Sequence, residues 1–279
     1  MIVYSNGNWV AETQAVVPFL DQGFLFGKNL FETIRVNQSR PFRLAKHLER
    51  LKSGMEITRL QALDLLDVIP VLLQEFIRKN NTETALVRII VTAGVAPASG
   101  ENVKQLPALY ISSRPVTAPE KWPVPILYVE EKNYPVMRFN PAIKSGNYLG
   151  NMLARQDAEA AGAFEPIFIN RSGFVTEGAI RNIFYIKDKV LITPSTDLGV
   201  LPGVMRDTVM ELAHQRDMKV EEGKVSFADV NRMDEAFLSS TGVGILPVAW
   251  EGFTSHYELS LELKTELETL FESGAMDVS

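Results

Sequence analysis

One lysine, Lys144, follows Pro141, Ala142 and Ile143 and precedes Ser145 and Gly146. An amine approached by apolar side chains loses hydration, which disfavours the ammonium form and frees a nucleophile or proton carrier. A lysine at a strand end with its head in water fits the same residues. Further along, "FVTEGAIRNIF" holds Glu177 just before Gly178-Ala179, in a turn between strands. A carboxylate there can pin a protonated ring nitrogen or simply face solvent. "GVLPGVMRDT" sets Pro202-Gly203 before an amphipathic helix, whose open amides and positive dipole end attract an anion. "FLSSTGVGILPV" brings Ser239, Ser240 and Thr241 next to Gly242 and Gly244, a hydroxyl and amide cluster that can close on an anion or form a plain polar loop. In "RPFRLAKHLERL", Arg43 falls at the end of a strand, where a planar fork can meet phosphate oxygens.

These stretches need a scaffold, and the periodicities supply one. "IVYSNGNWV" alternates around Asn6-Gly7 and predicts a tight hairpin. "LFETIRVNQSRPFRL" predicts two strands separated by Asn37 to Arg40. A helix follows from the spacing of Leu44, Leu48, Leu51 and Met55, and a second over 61–79 with Pro70 in a first turn or at a kink. "ALVRIIVTAG" and "PALYIS" read as strands. "RPVTAPEKWPVP" holds four prolines without periodicity and reads as an interdomain linker. Beyond it come a strand near 126–130, a helix over 148–161 ending at Gly162, and hairpins through Arg171-Ser172-Gly173 and Lys187-Asp188-Lys189. A helix opens after Gly203, and another spans 256–273. The expected division is 1–117, a linker at 118–124, and 125–279.

With 279 residues, 46% of them apolar and 22% charged, the chain can bury a core in each of two domains. A net charge of −6 and no run of basic residues argue against nucleic acid. The absence of cysteine and the scatter of His47, His214 and His256 argue against a metal site. No segment is apolar for long enough to predict a membrane span, and no leader pattern is seen, so a cytoplasmic protein is expected.

The ordered set "FETIR", "RPFRLAKHLERL", "IKSGNYLGNMLARQDA", "VTEGAIRNIF", "LPGVMRDT" and "SSTGVGILPV" resembles the class IV, or fold type IV, pyridoxal phosphate enzymes: D-amino-acid aminotransferases, branched-chain aminotransferases and aminodeoxychorismate lyase. The resemblance implies an α/β (α+β) fold with a smaller N-terminal α/β domain and a larger C-terminal pseudo-barrel, assembled as a homodimer. It implies pyridoxal 5'-phosphate held by Lys144 as a Schiff base, with the same amine moving the substrate proton. Glu177 matches the acid facing the ring nitrogen. Arg43, the amides of Val204 and Met205, Ser240 and Thr241 match the phosphate cup. Leu201 would face the ring and Tyr148 would stand near the lysine. Phe26, Lys28, Phe31 and Arg88 are the implied substrate contacts.

The Arg-x-His carboxylate trap of bacterial D-amino-acid aminotransferases is replaced by "TAGVAPASG", and the branched-chain FEG by Phe31-Glu32-Thr33. Thr33 matches the threonine that assists proton transfer in the lyase, whereas Ser240 stands where the lyase usually has Asn. The expected activity is transamination between a small or apolar amino acid and a 2-oxo acid. Pyruvate elimination from 4-amino-4-deoxychorismate is the alternative.

Overall fold

The computed structural model describes residues 1–96 and 106–273. Pro97 to Gly100 of "TAGVAPASG" lie outside them. The architecture is mixed α/β with two sheets, and the chain separates into two compact units at Val116/Thr117. Residues Ile143–Asn147 and the described residues from Phe271 belong with the first unit.

The first unit begins with a hairpin, β1 (Ile2–Ser5) and β2 (Asn8–Ala11), turned by Asn6 and Gly7 at φ of 43° and 96°. A short helix α1 (Gln22–Phe26) follows, then β3 (Asn29–Asn37) and the two-residue β4 (Arg40–Pro41). Helices α2 (Leu44–Thr58) and α3 (Leu65–Asn80) precede β5 (Ala85–Thr92) and β6 (Ala108–Arg114). The antiparallel sheet runs β2-β1-β6-β5-β3-β4. Leu30, Ile34 and Val36 alternate along β3 toward a core with Val87, Ile89, Leu51, Met55, Leu73 and Phe76, so one face of the sheet carries α2 and α3. The opposite face keeps Phe31, Thr33 and, across from Thr33, Arg88.

Two expectations are corrected here. The second helix starts at Leu65 instead of 61, because Leu60 and Ala62 are drawn into the core ahead of a turn at 63–64, and Pro70 stands inside it. Arg43 does not end a strand: β4 stops at Pro41, and Arg43 takes a left-handed conformation, φ 52°, immediately before α2.

The second unit contains β7 (Val124–Glu130), α4 (Leu149–Ala160), β8 (Glu165–Ile169), β9 (Phe174–Gly178), β10 (Asn182–Lys187), β11 (Val190–Pro194) and α5 (Val204–Gln215). It continues through β12 (Val220–Gly223), β13 (Val225–Ser226), β14 (Glu235–Ser240), β15 (Gly244–Ala249) and, up to Leu270, α6 (Glu258–Ser273). Nine strands pair in the order β12-β11-β10-β14-β15-β7-β8-β9-β13, and the sheet curls so that β9 and β13 also approach β11. "FLSSTGVGILPV" is therefore mostly a hairpin: β14 runs through Ser240 and β15 begins at Gly244. The core here is Ile126, Ile167, Val175, Ile183, Tyr185, Leu238 and Leu246. No helix among the described residues is long and apolar enough to cross a membrane.

Candidate active site

In the first unit the segment around Lys144 is fastened to β3 by its backbone. The Phe31 amide donates to the Lys144 carbonyl at 3.0 Å, and Ser145 bridges Leu30. Gly146 lies so close to β3 that an added Cβ would sit 2.2 Å from Asn29 Oδ1, which explains a glycine there. Asn147 Nδ2 donates to the Gly27 carbonyl at 3.1 Å. This anchoring accounts for a point where the structure departs from the expected domain boundary: Lys144 clusters with the first unit, not with the residues after 125. Lys144 Nζ then lies 4.5 Å from the centre of the Phe31 ring, and Arg88 Cζ lies 4.0 Å from the same centre. Lys144, Phe31, Thr33 and Arg88 are thus brought together on one face of the sheet.

Phe26 and Lys28 flank Gly27 at the end of α1. Both are exposed, Phe26 at 75%. The Arg43 guanidinium lies over Phe42, 5.8 Å from its ring centre.

Behind Phe31, on the helix-covered face of β3, lies a group that sequence reasoning missed. Glu32 accepts from Arg50 Nε at 2.8 Å and Nη2 at 2.6 Å, a two-point fork, and its Oε2 is 2.7 Å from His47 Nδ1. Burial alone would push the Glu32 carboxyl up, yet Arg50 and then His47 more than reverse it and hold it down at about 2. Burial pushes His47 toward its neutral form against the pull of Glu32, and the charges of Arg50 and Lys144 act in the same direction as burial. The available signal was a His and an Arg three residues apart on one helix face, behind a strand carrying an otherwise unmatched Glu.

In the second unit Glu177, near the end of β9, accepts from three donors among the described residues. Arg138 Nη1 binds Oε1, while Asn182 Nδ2 at 3.2 Å and the Leu201 amide at 3.1 Å bind Oε2. Asn182 also donates to the Leu201 carbonyl at 3.0 Å and so ties β10 to the loop before α5. Gly203 precedes α5 with no side-chain cap, leaving the amides of Val204 and Met205 at a helix start; a Cβ at Gly203 would fall 2.2 Å from Asn182 Oδ1. Asn182 pairs with Ser239 across β14, which carries Ser240 and then Thr241 to the same end of the sheet. The Ser239 hydroxyl is buried without a hydrogen-bond partner among the described residues. Tyr148 stands at the N-cap of α4, half-buried. Glu177, Leu201, Val204, Met205, Ser240 and Thr241 therefore share one sheet end. Arg138 sits in a proline-broken stretch with no periodicity, so nothing in the sequence singled it out.

The family profile described as "Amino-transferase class IV" matches residues 29–249. A Methanocaldococcus jannaschii protein described as "Putative branched-chain-amino-acid aminotransferase" is 34% identical over 256 residues, covering 89% of this chain and 87% of that one. The Bacillus subtilis aminodeoxychorismate lyase is 27% identical, covering 97% and 94%. Among solved structures, the branched-chain amino acid aminotransferase from Escherichia coli superposes with a TM-score of 0.86 at 27% identity, covering 99% of this chain and 96% of the other. Profile, relatives and fold agree: the chain is an enzyme belonging to the class IV aminotransferase family.

Proposed function

We propose that this enzyme is a pyridoxal phosphate-dependent aminotransferase that moves an amino group between a small or apolar amino acid and a 2-oxo acid, with Lys144 as its catalytic amine. The observation that carries this reading is the backbone clamp that holds Lys144 on β3 with Nζ beside the Phe31 ring. A lysine kept only for solubility needs no such clamp.

Class IV aminotransferases are pyridoxal phosphate enzymes, and the donor set of the second unit suits that group. The uncapped start of α5 offers the Val204 and Met205 amides to a phosphate, with Thr241 and Ser240 as hydroxyl donors. Glu177 offers a fixed carboxylate to a protonated ring nitrogen, and Leu201 an apolar contact beside it. Arg43 is a further phosphate donor on this reading, and Tyr148 a further contact to the bound group. When bound, the cofactor would supply an electron sink for the pair left behind when a substrate Cα proton departs. Lys144 Nζ takes that proton and returns it. Arg88 offers a fork to the substrate carboxylate, and Phe31 an apolar wall that favours small or apolar side chains.

A homodimer is part of this reading. Val16, Val17, Phe19, Leu20, Phe24, Leu25 and Phe26 are all exposed in one short run whose only charged residue, Asp21, is buried. A run so apolar is suited to a partner surface.

The lyase reading has its own support in Thr33, which shares the sheet face of Phe31 and Arg88 and could pass a proton to departing pyruvate. The deciding experiment supplies the loaded enzyme with D-alanine, L-leucine and aminodeoxychorismate in parallel and follows keto acid and 4-aminobenzoate. Faster keto acid formation from an amino acid is expected. 4-Aminobenzoate release that outpaces both amino acids would make the protein a lyase.

A further inference from the structure

Glu177 has a neighbour that none of the motifs contains. Arg138 donates through Nη1 to Glu177 Oε1, through Nη2 to Thr176 Oγ1 at 3.1 Å and through Nε to Glu131 Oε2 at 3.0 Å. Its guanidinium lies 5.5 Å from the Phe168 ring centre, and its side chain is only 18% exposed. Burial works against the Arg138 charge, but the carboxylates of Glu177 and Glu131 outweigh it and push the guanidinium further up.

Acceptor capacity makes this contact informative. A carboxylate has about four lone-pair sites, two on each oxygen. On Glu177, Asn182 and the Leu201 amide take both sites of Oε2, while Arg138 takes one site of Oε1. Among the described residues nothing else bonds Glu177, so the remaining acceptor site is on the oxygen that Arg138 holds. One guanidinium between Glu131 and Glu177 also leaves the group with a single negative charge, which favours a cation as the next partner.

We propose that Arg138 is the positioning residue of the cofactor site: it fixes Glu177 Oε1 so that the one acceptor site left on that carboxylate receives the protonated ring nitrogen of pyridoxal phosphate. The inference rests on the function proposed above and adds a residue to it. Arg138 acts through Glu177 and touches neither the cofactor nor the substrate.

The test compares apo-enzyme carrying Arg138→Lys or Arg138→Met with wild type, measuring binding of pyridoxal phosphate and of its ring-carbon analogue, in which C–H replaces the ring nitrogen, by tryptophan fluorescence. Wild type binds pyridoxal phosphate more tightly than the analogue. In both variants that preference falls by about tenfold, the scale of one charge-assisted hydrogen bond, while affinity for the analogue stays close to wild type. Thermal melting of each apo-protein verifies folding, and Arg138→Lys, which keeps the charge but loses the fork, carries the test if Arg138→Met does not fold. Equal losses for both ligands, or an unchanged preference in a folded variant, would overturn the role of Arg138 and leave the proposed function standing. Wild type that binds neither ligand would overturn both.

Discussion

Glu32 and Glu177 are both strand carboxylates gripped by an arginine, but they end in different states. Glu32 is sealed, with a side chain 2% exposed, and both oxygens are spent on Arg50 and His47 inside the first unit. Glu177 is 13% exposed, and its partners leave one acceptor site open. The difference separates two uses of one motif. A carboxylate whose partners saturate it and shut out water contributes to stability, whereas one held firmly but incompletely has something left to offer a ligand. Burial and acceptor count together distinguish them; an arginine partner alone does not.

The strongest test of that contrast removes each charge in turn. Glu32→Gln removes the buried carboxylate charge that Arg50 and His47 face, and urea unfolding should reveal a loss of about 3–5 kcal/mol, the usual cost of breaking a buried pair from one side. Glu177→Gln should cost less, because Arg138 keeps Glu131 as a partner, and should instead weaken cofactor binding. Similar stability losses for the two would erase the distinction.

Acid provides a second test. Glu32 ionises at about 2 in the folded chain against an ordinary value of 4.5. Its contribution is present above about 4.5 and is lost as pH falls toward 2, on the order of 3 kcal/mol. His47, held toward neutrality when folded, adds a loss that begins as pH falls below its ordinary 6.5, where only the unfolded chain readily takes up the proton. Stability of wild type should therefore decline through both windows, and Glu32→Gln should flatten the lower one. An unchanged acid limb in that variant would mean that other carboxylates dominate.

A smaller effect is expected at Gly203. A methyl there meets Asn182 Oδ1 at 2.2 Å, and Asn182 is confined by Glu177 and Leu201, so Gly203→Ala should cost about 1–3 kcal/mol. Cofactor affinity should fall with it, as read by fluorescence titration.

Much of this scaffold was legible in the chain because its signals are local. Asn6-Gly7 turns a hairpin, Leu44 to Met55 repeat at helical spacing, and Arg171-Ser172-Gly173 closes β8 onto β9. What escaped depends on contacts between residues distant in sequence. Arg138 meets Glu177 across 39 positions and Arg50 meets Glu32 across 18, and neither pair leaves a periodic trace. Arg43 was misplaced because Pro41 and the left-handed turn after it end the strand early. Lys144 was assigned by position to the second domain, although the pairing of Leu30 with Ser145 draws its backbone to β3.

The central claim is that Lys144 is the amine that binds pyridoxal phosphate. Borohydride reduction of the protein incubated with pyridoxal phosphate, followed by proteolysis and peptide mass spectrometry, addresses it directly. The account predicts one cofactor-modified peptide, carrying the adduct on Lys144, and none from Lys144→Ala. A wild-type protein left unmodified at Lys144, or a Lys144→Ala protein labelled to the same extent at another lysine, would contradict it.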